Sequence, residues 1–194
     1  MLRKPTKKEL KVILSALRAF GSEDFLKDNE LLVLDVVIEE DGSRRIVDRN
    51  TKGRIREVYA LSKDLAKFLE LYKLNYVHAG LKVGEVGSRR FRFSLEGSFY
   101  LARKNKKKVF VNEKGEMLFL YGRDIFAESV IDVTGDVKEN DIVFVCNVKG
   151  DVLGIGKARF DAKRMMEVEK DRVVVENLID RGEYLRKEKT YRSF

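Results

Sequence analysis

Cysteine, histidine and proline each occur once in this 194-residue chain, and glutamine is absent. The lone Cys146 excludes a disulfide within the chain and points to a cytoplasmic setting. It lies inside the apolar run from Ile142 to Val148 and reads as a small core residue. The lone His78 has no cysteine and no cluster of carboxylates near it in sequence. Metal sites need three or four ligands at short spacing, so neither a metal nor another cofactor is expected. The same scarcity denies the chain a nucleophile, base and orienter, and the expectation is that it is not an enzyme. A competing reading, an enzyme with its site in the N-terminal half, has Glu85 or His78 as acid or base. One proline and no long Gly/Ser tract exclude a long flexible linker. No apolar run approaches the roughly 20 residues of a membrane helix, so no membrane partner is expected. The first residues form a helix start rather than the uncharged block of a secretory signal.

Charge is what the chain has in excess. Forty Lys and Arg against 32 Asp and Glu give a formal charge of +8 and an isoelectric point near 9.4. That surplus favours polyanionic partners without naming one. Charged residues at 37%, together with the missing glutamine, fit a thermophile pattern of ion-pair networks and few labile side chains.

Along the chain, Thr6 and Glu9 suit a capping box. Leu10, Ile13, Leu14, Leu17 and Phe20 then recur on one helical face up to Gly21. Strands follow at Leu31 to Glu39, Arg44 to Asp48 and Ile55 to Ala60, the first two joined through Asp41-Gly42. Charged residues alternate with apolar ones in these strands, so one face is expected to be wet. A helix from Lys63 to Tyr72 is capped by Ser62, a hairpin spans Asn75 to Ser94, and a third helix runs from Leu95 to Arg103. This order predicts an α+β fold: an N-terminal mixed α/β domain, residues 1–112, with a mainly antiparallel sheet and flanking helices.

The remainder, residues 113–194, alternates short apolar runs with turns at Gly135-Asp136, Asn140-Asp141 and Lys149-Gly150-Asp151. The runs Ile142 to Val148 and Asp151 to Gly156 read as adjacent antiparallel strands. A strand ending at Tyr121-Gly122 and a helical turn or two through Asp124 to Ser129 complete the layout of a small closed β-barrel carrying one helix. A Walker loop is excluded because Asp151 stands where it needs glycine, and Gly154-Ile155-Gly156 lacks the third glycine and the helix of a dinucleotide fingerprint.

Two basic stretches stand out. Lys157, Arg159, Lys163, Arg164 and Lys170 collect between the glycine strand and a last strand at Arg172 to Asn177. Met165 and Met166 are expected to anchor that segment to the core, with Asp161, Glu167 and Glu169 partly balancing the charge. A second run, Arg103, Lys106, Lys107 and Lys108, lies at the domain junction and is either a solvated loop or a secondary nucleic-acid contact. Arg89, Arg90 and Arg92, interleaved with Phe91 and Phe93, fit a nucleic-acid stripe and an ordinary half-buried strand equally.

The Gly122 turn, the Gly135-Asp136 strand start, the Asn140 to Val145 step and Gly154-x-Gly156 together resemble the PUA domain, an RNA-binding β-barrel. FLYG at Phe119 to Gly122, GIG at Gly154 to Gly156 and RGEYLR at Arg181 to Arg186 extend the resemblance to the Nip-seven family of large ribosomal subunit biogenesis factors, in an archaeal-type form. The resemblance implies a two-domain, non-catalytic protein of pre-rRNA processing and large-subunit assembly. Its partners would be single-stranded, uridine-rich pre-rRNA and either ribosome assembly factors or exosome components. It places Lys163, Arg164 and Lys170 in the RNA-binding region, with Glu167 where another base would be expected. An alternative use of such a barrel is as an accessory or specificity subunit presenting RNA to a modifying enzyme. The segment from Ile38 to Arg54 is extra, with no obvious need for it in the family.

Overall fold

A computed structural model describes residues 2–72 and 79–187. The expected role of His78 falls outside the described residues. The chain divides into two compact units, Met1–Lys104 and Asn105–Phe194.

The first unit opens with α1 (Lys7–Ala19), whose start is built as the Thr6/Glu9 pair predicts. Thr6 Oγ1 accepts from the Glu9 N–H at 3.3 Å, and Glu9 Oε2 accepts from the Thr6 N–H at 2.8 Å, satisfying two donors left over at the helix end. A single turn, α2 (Phe25–Asp28), leads into β1 (Asn29–Ile38), followed by β2 (Arg44–Ile46) and β3 (Ile55–Ser62). Gly42, at φ +81°, takes the left-handed position in the connection from β1 to β2. After α3 (Lys63–Tyr72) come β4 (Leu81–Val86), β5 (Phe91–Phe93) and α4 (Leu95–Leu101). The strands form one antiparallel sheet in the order β2-β1-β3-β4-β5. On one face α1 buries Ile13 and Leu17, and Gly97 of α4 sits so close to Val83 that an added Cβ would lie 2.3 Å from its carbonyl oxygen. On the other face, Leu69 of α3 joins Leu2, Leu34, Val36, Tyr59 and Leu61.

β2 is exposed throughout, but in β1 and β3 the charges expected to reach solvent are buried on both faces. The Asp35 and Glu57 side chains are each 3% exposed. Asp35 accepts from Arg3 Nε at 2.7 Å and Arg54 Nε at 2.6 Å, while Glu57 is held by Arg44, by Lys82 Nζ at 2.8 Å and by the Tyr59 hydroxyl at 3.0 Å. Paired in this way, buried carboxylates escape the cost of lost hydration.

The second unit holds β6 (Lys108–Val111), α5 (Glu113–Leu120), β7 (Ile125–Phe126), a 3-10 turn (Ala127–Ser129), β8 (Val130–Val133), β9 (Ile142–Cys146), β10 (Val152–Ala158), α6 (Ala162–Glu167), β11 (Val173–Asp180) and α7 (Glu183–Lys187). Six strands curl into a near-barrel in the order β7-β11-β10-β9-β6-β8, all pairs antiparallel except β6 with β9. Val109, Phe119, Val143, Val145, Met165 and Val175 are among the side chains filling it. Cys146 is buried, and burial pushes its thiol up to about 11, which keeps it an unreactive core residue.

Three expectations change here. The run ending at Tyr121 is helix α5, started by Asn112, whose side chain accepts from the Gly115 N–H at 2.9 Å. The segment from Asp124 to Ser129 is a two-residue strand and a 3-10 turn, so the strands carry α5, α6 and α7 rather than one helix there. The division lies between Lys104 and Asn105, ahead of the expected 112/113, because β6 is hydrogen-bonded between β9 and β8 and belongs to the second sheet. No helix among the described residues is long and apolar enough to cross a membrane.

Candidate nucleic-acid interface

The cationic segment between β10 and β11 is shaped by one helix. Asp161 caps α6, its carboxylate accepting from the Arg164 N–H at 2.9 Å. The Ala162 N–H donates to the Val137 carbonyl at 3.1 Å, and the Arg159 N–H to the Val174 carbonyl at 2.9 Å. Met165 is 1% exposed and pins α6 into the core, whereas Met166 is 51% exposed, so one methionine is the anchor rather than two. With Met165 inward, Lys163, Arg164 and Glu167 are exposed.

The five expected cations separate into two groups. Lys157 is half-buried on β10 opposite Glu176 of β11, and Arg159 reaches the same carboxylate at 3.3 Å. Lys163, Arg164 and Lys170 have no carboxylate within ion-pair distance among the described residues. The Arg164 guanidinium lies over the Phe160 ring, 5.0 Å from its centroid, which holds the plane of its fork in one orientation. Sequence reasoning missed this pair, although an aromatic four residues before an arginine at a helix start is a readable signal. The Lys170 carbonyl accepts from the Glu128 N–H at 3.1 Å, which ties its backbone to the 3-10 turn. The Glu128 carboxyl is held below its ordinary range by Lys114 at 2.7 Å, with a smaller contribution from Lys170. Glu167 stays exposed between these cations and subtracts from the local field.

The second basic run is divided between the two units. Arg103 belongs to the first unit and lies 5.8 Å from the Tyr100 ring centroid. Lys106 is exposed and Lys108 half-buried on β6. Lys107 is a correction: at φ +52° and 14% exposed, its ammonium is 2.5 Å from Asp141 and also bonds the Asp136 carbonyl. That side chain fastens the start of β6 to the 134–141 turn, with two of its three donors engaged inside the fold.

Glu85 sits between Lys82 Nζ at 3.1 Å and Arg92 at 3.2 Å, the surroundings of an ion-pair partner rather than of a general acid or base. Among the described residues no three His, Cys, Asp or Glu side chains group so as to hold a metal ion.

Two family descriptions match the chain: a NIP7/UPF0113 pre-PUA domain over residues 2–95 and a UPF0113 PUA domain over residues 107–189. The sequence is 51% identical over 192 residues to a UPF0113 protein of Archaeoglobus fulgidus, covering 99% of this chain and 98% of that one. It is 25% identical over 193 residues to the 60S ribosome subunit biogenesis protein NIP7 of Saccharomyces cerevisiae, covering 97% and 98%. Among solved structures, a conserved PUA domain protein from Thermoplasma acidophilum superposes with a TM-score of 0.57 at 18% identity, over 95% of this chain and 97% of that one.

Proposed function

The chain belongs to the NIP7/UPF0113 family, and on that premise we propose that it is a non-catalytic RNA-binding factor of large ribosomal subunit assembly and pre-rRNA processing. It grips single-stranded, uridine-rich RNA through Lys163, Arg164 and Lys170. The observation that carries the site is that these three cations are exposed with no carboxylate at ion-pair distance among the described residues, Lys163 and Arg164 on a helix seated by Asp161 and Met165 and Lys170 in the turn that follows it. Charges left unpaired by the fold can take phosphates without breaking an internal bond. Arg159 and Lys157 flank them. An exposed ion pair is worth only about 0 to 1 kcal/mol, so Arg159 exchanges Glu176 for a phosphate at little cost. Arg103, Lys106 and Lys108 remain secondary contacts in this reading, and Lys107 does not.

The assembly role is supported by the yeast relative of nearly equal length, a 60S ribosome subunit biogenesis protein. Ribosome assembly factors or exosome components are the expected protein partners.

Replacing Lys163, Arg164 and Lys170 together with Ala should weaken binding to a uridine oligomer in fluorescence anisotropy. For every phosphate no longer neutralised, the slope of log affinity against log salt should flatten by about 0.7. Unchanged affinity and slope would remove the site. Recovery of pre-rRNA with the tagged protein supports the assembly role, and recovery of a modifying enzyme without it redirects the protein to RNA presentation.

A further inference from the structure

We infer that the first unit carries a second RNA-backbone contact, at the end of its sheet where Arg49, Lys52, Arg89 and Arg90 emerge. This rests on the reading of the chain as an RNA binder and extends it to a surface built by other residues.

The topology assembles this surface. β1 ends at Ile38, β3 starts at Ile55, β4 ends at Val86 and β5 starts at Phe91. The pairings Val36↔Ile55, Glu57↔Glu85 and Val86↔Phe91 bring all four to one end of the sheet. The connections there are residues 39–54, which include β2, and the tight turn 87–90, closed by the Gly87 N–H to the Arg90 carbonyl at 2.7 Å. Two strand spacings, roughly 10 Å, separate the start of β3 from that of β5.

Charge then selects the partner. Among the described arginines, four have neither a carboxylate nor a ring partner: Arg49, Arg89, Arg90 and Arg123. Three of the four lie in the connections at this sheet end, as does the exposed Lys52. The nearby acids are already engaged: Asp35 by Arg3 and Arg54, Glu57 by Arg44 and Lys82, Glu85 by Lys82 and Arg92, Glu39 by Arg45. Asp41 accepts from the Ser43 N–H at 2.8 Å in its own turn and stays ionised, so Glu40, Asp41 and Asp48 are the opposing charges against four open cations. A guanidinium fork matches two phosphate oxygens, and arginines left open by the fold can meet a backbone bidentately. A protein partner of ordinary kind would need an apolar centre, and here only Ile38 and Ile46 are exposed large aliphatic side chains.

The test uses the full chain and a hairpin RNA with a single-stranded uridine tail. The R49A/K52A/R89A/R90A variant should lower affinity at least tenfold and reduce the salt slope by roughly 0.7 to 0.9 for each phosphate left without its cation. An R49K/R89K/R90K variant should keep most of the slope while binding more weakly, because charge remains and the fork does not. Circular dichroism melts confirm that both variants fold. If the quadruple variant binds like the parent while K163A/R164A/K170A is weakened, the inference fails and the barrel site stands. If the quadruple variant alone is weakened, the inference stands and the barrel site fails. If neither variant changes, both fail. Parent-like RNA binding by a quadruple variant that no longer retains polyglutamate overturns the inference in favour of an acidic protein partner.

Discussion

Glu9 shows how much one side chain can do in this chain. It closes the capping box of α1 and also accepts from the two terminal Arg3 guanidinium nitrogens, at 2.8 and 2.9 Å. The Arg3 hydrogen bonds hold its carboxyl down to about 2, with burial opposing them. The unfolded chain titrates near about 4.3, so the stability Glu9 contributes is whole above that pH and drains away as pH falls toward about 2. Replacing Glu9→Gln should therefore cost roughly 2 kcal/mol in urea unfolding at neutral pH, with the gap from the parent closing by about pH 2. A gap independent of pH would show that shape rather than charge is what the substitution removes. The capping box was plain from Thr6-x-x-Glu9. The arginine was not, because Arg3 reaches both Glu9 and Asp35, and Asp35 lies 32 positions along the chain.

At the scale of elements, short apolar stretches were the hardest to read. The eight residues of α5 include Met117, Leu118, Phe119 and Leu120 in succession, a run too brief for helical and strand periods to be told apart. What decides for helix is the Asn112 cap and the burial of Phe119, around which the barrel closes. Helices α1 and α3, longer and clearly striped, were legible to within a residue or two. The docking of α7 on the end of α5 was invisible in sequence. It depends on Gly182, where an added Cβ would stand 1.8 Å from the Leu120 carbonyl oxygen, and on Arg186, which bonds the same oxygen and pairs with Asp180 at 2.8 Å. Gly182→Ala should destabilise the second unit by about 1 to 3 kcal/mol, as overpacked sites do. A thermal melt would read this as a drop in Tm of several degrees, and an unchanged Tm would mean that α7 moves aside at no cost.

For the whole molecule, the two-unit division makes a prediction that the expected boundary does not. Fragments 1–104 and 105–194 should each fold, since each contains a complete sheet and its own apolar cluster. Fragment 113–194 should not, because without β6 the strands β9 and β8 lose the partner between them. Circular dichroism and amide NMR dispersion of the three fragments decide it. A folded 113–194 would restore the later boundary.

Local pattern determined the α+β class, the antiparallel first sheet, the β9–β10 pair and the basic segment before β11, since turn residues, helical stripes and charge runs act over a few positions. Only the tertiary structure decided which charges are free. Arg159, Lys107 and Arg54 look in sequence like Arg164, Lys163 and Arg49, yet the first three are held by Glu176, Asp141 and Asp35, each brought near by strand register or a turn. Whether these cations have a carboxylate beside them depends on residues many positions away, and a linear sequence carries no record of that distance until the strands have paired.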